Sequence, residues 1–118
     1  MKKVILFDLG DTLVRYWTSA EWPPLREQAI AGVQAELAAR GWPPVEPRTL
    51  SKRVHAQDRE EADYRVRPLE ERLADVFQLD LERQAEVVAA VCRAFMAPLF
   101  ARGRPYDDVR PVLRRLRA

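Results

Sequence analysis

Asp8, Gly10, Asp11 and Thr12 form the group in this chain whose types and spacing suit chemistry. Asp8 follows the apolar run Val4-Ile5-Leu6-Phe7, and a glycine turn, a second aspartate and a threonine come after it. If the run is a buried strand, the Asp8 carboxylate stands at the strand's carboxyl end, where open α/β folds place ligands and reacting groups. The plainer alternative is an aspartate that ends a strand and caps a turn with its side chain. Elsewhere the reactive residue types are scattered. His55 is the sole histidine and falls on a charged stretch with no cysteine or histidine at ligand spacing, so it reads as solvated. Cys92, the sole cysteine, falls in an apolar stripe and reads as a small hydrophobe.

The elements that must position this group change character along the chain. Val4 to Phe7, apolar on both faces, suits a central strand of a parallel sheet covered by helices on both sides. After Val14 the pattern turns helical and stays so. Pro23-Pro24 opens a first helix, whose apolar face is Leu25, Ala29, Ile30, Val33 and Leu37, and Gly41 offers its stop. A Pro-rich loop from Trp42 to Pro47 leads to a second helix of roughly 18 residues. Its apolar marks are sparse (Leu50, Val54, Ala62) and Gln57 to Asp63 is strongly charged, so it is expected to be largely exposed. Pro68 begins a short third helix with Glu70 and Glu71 in its first turn and Leu69, Leu73, Val76 and Phe77 as its stripe. Asp80 is the expected cap of a fourth helix carrying Leu81, Ala85, Val88, Cys92, Phe95 and Leu99, with Pro98 and Gly103 marking its end. A last helix follows Asp107 or Asp108, with Val109, Leu113 and Leu116 on one face.

The first fourteen residues resemble motif one of the haloacid dehalogenase-like hydrolases: a hydrophobic run, D-x-D-x-T, then Leu or Val. Asp8, Thr12 and Leu13-Val14 match, while Gly10 stands where the family's phosphatases carry the second aspartate and Asp11 comes one place late. The resemblance implies an α/β fold in three parts. Residues 1–15 would be the first strand and nucleophile loop of a Rossmann-like core, 16–103 a helical cap, and 104–118 the returning core helix. It implies Asp8 as nucleophile and Mg²⁺ ligand, Gly10 as a second ligand through its backbone carbonyl, and Thr12, with Asp11, as supports of the loop. It also implies Mg²⁺-dependent hydrolysis of a small phosphorylated metabolite through an aspartyl-phosphate. Glycine cannot serve as the acid, and losing a positioned acid typically costs about 10²–10⁴-fold in rate. Acyl phosphates and activated esters would suffer least. Carbon–halogen hydrolysis is a rival within the family, because a leaving halide needs no proton.

Composition narrows the remaining possibilities. The chain has 118 residues, 47% hydrophobic and 32% charged, with a formal charge of +2 from 20 basic and 18 acidic side chains. This suits one folded domain and gives no field that would imply nucleic acid or membrane binding. The arginines at 102, 104, 110, 114, 115 and 117 lack interleaved aromatics, and near a helix C-terminus the dipole alone favours them. One cysteine allows no intrachain disulfide, and the amino-terminal apolar run is too short for a signal peptide, so a cytoplasmic setting is expected. The family's later motifs, a strand ending in Ser or Thr, a lysine and an acidic pair, are expected beyond Ala118. The chain therefore reads as predominantly helical and truncated, inactive by itself. The rival of another class is a non-catalytic helical module that forms an oligomer or borrows its sheet from a complementing chain, since a lone strand leaves its backbone groups unpaired.

Overall fold

The computed structural model describes residues 3–60 and 67–117. Leu25, Ala29, Val33 and Leu37, four residues apart, all lie buried along one face of α1 (Trp22–Ala39). A reciprocal pair of bonds fixes where α1 begins. The Glu21 N–H donates to the Thr18 hydroxyl (3.3 Å), while the Thr18 N–H and hydroxyl donate to Glu21 Oε2 at 2.7 and 2.9 Å. Gly41 ends the helix at φ 87°, a left-handed conformation that costs glycine nothing. The Gln34 side chain then pins the Pro-rich loop, accepting from the Val45 N–H at 3.0 Å.

α2 (Pro47–Glu60), α3 (Leu69–Phe77) and α4 (Ala85–Arg102) complete a four-helix unit in which α1 lies along α4, α3 on α4, and α2 on α3. Val33, Leu37, Leu50, Leu73, Val76, Phe77, Val88 and Val91 fill its centre. A second cluster, Leu25, Ala29 and Leu99 with Trp17 and Trp22 against it, closes the end nearest the chain's crossing point. The second helix is less exposed than its composition suggests. Leu50 is buried, and the buried Gln57 amide donates to the Arg72 carbonyl at 2.8 Å. Arg53 donates to the Val76 carbonyl at 2.9 Å, so polar bonds weld α2 to α3 where apolar residues are few. Ala62 and the charged run past Glu60 lie outside the described residues.

Three local expectations need correction. Pro98 sits inside α4 and does not end it. Proline removes one donor, leaving the Ala94 carbonyl without its intrahelical partner, and the helix runs on because Leu99 is anchored against Leu25 and Ala29. Gly32 of α1 faces that carbonyl, where a Cβ would lie only 3.2 Å from the oxygen. Asp80 caps a turn ahead of α4, accepting from the N–H groups of Glu82 and Arg83 at 3.1 and 2.9 Å, and Leu81 is exposed. Inside α4 the buried face is Val88, Ala90, Val91 and Leu99, with Cys92 and Phe95 only partly covered.

Two short segments pair where the chain leaves the amino-terminal loop and where it returns. β1 (Val14–Arg15) runs antiparallel to β2 (Arg104–Pro105), with Val14 opposite Pro105 and Arg15 opposite Arg104. The Tyr106 N–H extends the ribbon by donating to the Leu13 carbonyl at 3.2 Å. α5 (Val109–Arg117) follows, with Asp108 just ahead of it and Pro111 tolerated in its first turn. None of its residues is buried.

The expected Rossmann-like core does not form among the described residues. Val4 to Phe7 is not a strand, and its side chains are 79%, 59%, 91% and 44% exposed. Strand geometry needs a partner for its N–H and C=O groups, and no neighbouring segment offers one there. The observed fold is predominantly helical with a two-stranded ribbon. Among the described residues, no helix is long and apolar enough to cross a membrane.

Candidate functional site

The group around Asp8 is shaped by a tight backbone turn. The Leu9 carbonyl accepts the N–H groups of both Leu13 and Val14 at 3.0 Å, and the Asp11 N–H donates to the Val14 carbonyl at 2.8 Å. This turn sets Asp11 at φ 56°, a left-handed conformation that Asp tolerates better than most residues. It also brings the Thr12 hydroxyl onto the Asp8 carboxylate, donating to Oδ2 at 3.1 Å. Asp8 and Thr12 thus meet, both exposed to solvent. Asp11 makes its place in the turn through its backbone, and its side chain is exposed.

Tyr16 ties this turn to the helical unit. A Cβ built on Gly10 would lie 3.4 Å from Tyr16 Cε2, and one on Gly103 would lie 3.4 Å from Tyr16 Cδ1 and Cε1. The ring therefore lies between two glycines, one in the turn and one where the chain returns. Tyr16 contacts Trp17 at a centroid distance of 5.3 Å, and Trp17 stacks on Trp22 at the same distance with 22° between planes. These tryptophans pack the junction, and Trp42 packs on the larger core. An ion pair from Arg102 to Glu21 joins the two ends of the helical unit. The Glu21 carboxyl is held below the usual range, first by the Thr18 backbone N–H, then by its hydroxyl and by nearby Arg102 and Arg15. A pocket of about 330 Å³ opens beside Tyr16, walled by Arg15, Glu21, Ala101, Arg102 and Arg104.

On the far side of the turn, Phe7, Thr12 and Leu13 face Asp108, Val109, Val112 and Leu113 across a cleft of about 180 Å³. Sequence reasoning singled out Asp8, Gly10, Asp11 and Thr12 but passed over Tyr16. The available signal was an aromatic pair, Tyr16-Trp17, between the motif and the first helix.

A Mg²⁺ ion takes six oxygens, commonly one or two carboxylates with water and phosphate completing the shell. Asp8 offers one carboxylate and Gly10 one carbonyl in this turn. Among the described residues no three His, Cys, Asp or Glu side chains converge on a common point. The described residues therefore fall short of a complete magnesium site. Cys92 is half-buried against the core, and burial, with Glu70 nearby, pushes its thiol up, which keeps it protonated and unreactive. His55 is exposed on α2. Of the basic carboxyl-terminal residues, Arg102 serves the ion pair to Glu21 and Arg104 donates to the carbonyls of Ala101 and Gly103. No protein family, curated protein or solved structure matches this chain.

Proposed function

We propose that this chain carries the nucleophile turn and helical cap of a haloacid dehalogenase-like hydrolase that acts on small phosphorylated metabolites. The observation that supports this reading is the Thr12 hydroxyl on Asp8 Oδ2, in a turn at the foot of a helical unit. The segments leading into and out of that unit pair as β1 and β2, so residues 16–103 begin and end beside Asp8's turn, as an inserted cap would. With Oδ2 held by Thr12, Oδ1 is the oxygen that attacks phosphorus and forms the aspartyl-phosphate. Mg²⁺ is the metal the family implies, and Asp8 with the Gly10 carbonyl is this chain's share of its ligands. Phosphate release from acetyl phosphate by the protein expressed from its whole reading frame tests the reading. Asp8→Asn should abolish release, together with a hydroxylamine-labile phosphoryl adduct at residue 8. Unchanged release by Asp8→Asn would overturn the proposal.

A second reading rests on a different observation. Val4, Ile5, Leu6 and Leu9, with Val112, Leu113 and Leu116 of α5, leave large apolar side chains in solvent. Exposed apolar surface of this kind marks a partner site. A non-catalytic helical module that pairs with another chain would show a folded oligomer by light scattering and no phosphate release. An active, folded monomer would dismiss it.

A further inference from the structure

We propose that the cleft between α1 and α2 binds a small carboxylic acid with an apolar body, its carboxylate seated on Arg26. The inference goes beyond the hydrolase reading and does not rest on it, since the residues lining the cleft all belong to the four helices. Trp22, Arg26 and Ile30 recur every four residues and so form one stripe of α1. Val54 of α2, Phe77 of α3 and Phe95 of α4 stand with them around a cleft of about 320 Å³. A second cleft of about 350 Å³ shares Arg26, Ile30 and Val54 with the first.

The opening follows from how α2 is attached. α1 packs along α4, whereas α2 packs on α3, where Gln57 and Arg53 donate to the carbonyls of Arg72 and Val76. The facing stripes of α1 and α2 are therefore not closed on each other, and Trp22, Ile30, Val54 and Phe95 are only partly buried. Small-molecule sites are commonly clefts of this kind, roughly 300–1,000 Å³ in volume, mostly apolar and with a few polar groups that orient the ligand.

Arg26 is the orienting group. It is half-buried, and its neighbours one turn away on α1, Trp22, Pro23, Ala29 and Ile30, are uncharged. Among the described residues it joins no hydrogen bond or ion pair. A partly desolvated guanidinium gains from a carboxylate, whose two oxygens match its paired N–H groups. Arg72 also borders the cleft but has contacts of its own, and the Gln57 amide is committed to the Arg72 carbonyl. Glu27 lies on the wall of the second cleft, so a ligand with another negative group on that side would be repelled. One carboxylate suits the site. The body of the ligand then lies toward Trp22, Phe77 and Phe95, whose rings offer broad apolar faces.

Titration calorimetry on the protein expressed from its whole reading frame tests the assignment, with naphthoate as the acid and naphthamide as its neutral counterpart. Naphthoate should bind saturably at one site and more tightly than naphthamide. Arg26→Gln should leave the melting temperature unchanged, because Arg26 has no partner within the described residues to lose. It should weaken naphthoate about 10-fold or more, as loss of a charged hydrogen bond does, and leave naphthamide within a few-fold. Val54→Trp, which fills the cleft from α2, should abolish binding of both while the protein still melts cooperatively. Should that variant fail to fold, the Arg26→Gln comparison decides alone. Equal naphthoate affinity in Arg26→Gln and the wild-type protein, equal losses for acid and amide, undiminished binding by a folded Val54→Trp, or no saturable naphthoate binding would overturn the proposal. None of these outcomes bears on Asp8→Asn, which tests the hydrolase reading separately.

Discussion

The helical unit of residues 16–103 and the flanking segments, residues 3–15 and α5, carry similar apolar side chains with opposite fates. Val33 and Val91 inside the unit are completely buried, whereas Leu6 is 91% exposed and α5 buries nothing. The difference lies in where each element's partner is found. An amphipathic helix satisfies its own backbone and needs only another stripe, and α1, α3 and α4 supply stripes to one another within this chain. A strand needs hydrogen-bonding neighbours as well as cover on both faces, and the described residues hold none for Val4 to Phe7. The junction between the regions is correspondingly polar and aromatic: a two-residue ribbon, an arginine–glutamate ion pair and the ring of Tyr16.

The largest test of this contrast places the same charge in both regions. Val33→Asp should cost more than about 4 kcal/mol and abolish cooperative melting, since a buried unpaired carboxylate is severely penalised. Leu6→Asp should change stability by no more than about 0.5 kcal/mol in the same melts. A large loss at Leu6 would mean that the amino-terminal run is covered in solution.

The polar weld between α2 and α3 comes next. Gln57→Ala removes the bond to the Arg72 carbonyl in a buried place and should cost about 1–3 kcal/mol by urea denaturation. A neutral result would show that Leu50, Val54 and the Arg53 bond to the Val76 carbonyl suffice to hold α2.

The smallest expected effect concerns acid. Glu46 is held below the usual carboxylate range by the backbone N–H of Arg48, then by that of Thr49, as Glu21 is by Thr18. A depressed folded-state pKa contributes stability above the ordinary glutamate value and loses it as pH falls through the depressed one. Thermal melts should therefore weaken in mildly acid buffer, and Thr18→Ala should flatten part of that dependence. Equal pH slopes in the two proteins would remove Glu21 from the account.

The legible parts of the molecule were those with a short period. The faces of α1 and α3 and the turn glycine Gly41 follow from spacing and local sterics. The end of α4 did not, because Pro98 is accommodated by packing at Leu99 that lies far away in sequence. Nor did the burial of Gln57, since its partner is a backbone carbonyl on another helix. At the candidate site, Asp8 and Thr12 stand out by their four-residue separation, and the turn does bring them together. Tyr16 stayed hidden because its two glycine neighbours lie 6 and 87 positions away along the chain.

The sequence by itself determined the helices and the residues whose side chains could do chemistry, because each depends on neighbours within a turn or two. Only the tertiary structure decided that β1 meets β2, that Tyr16 lies between Gly10 and Gly103, and that Val4 to Phe7 goes uncovered. Those outcomes depend on which distant segments come into contact, and contact across the chain is settled by the packing of whole elements.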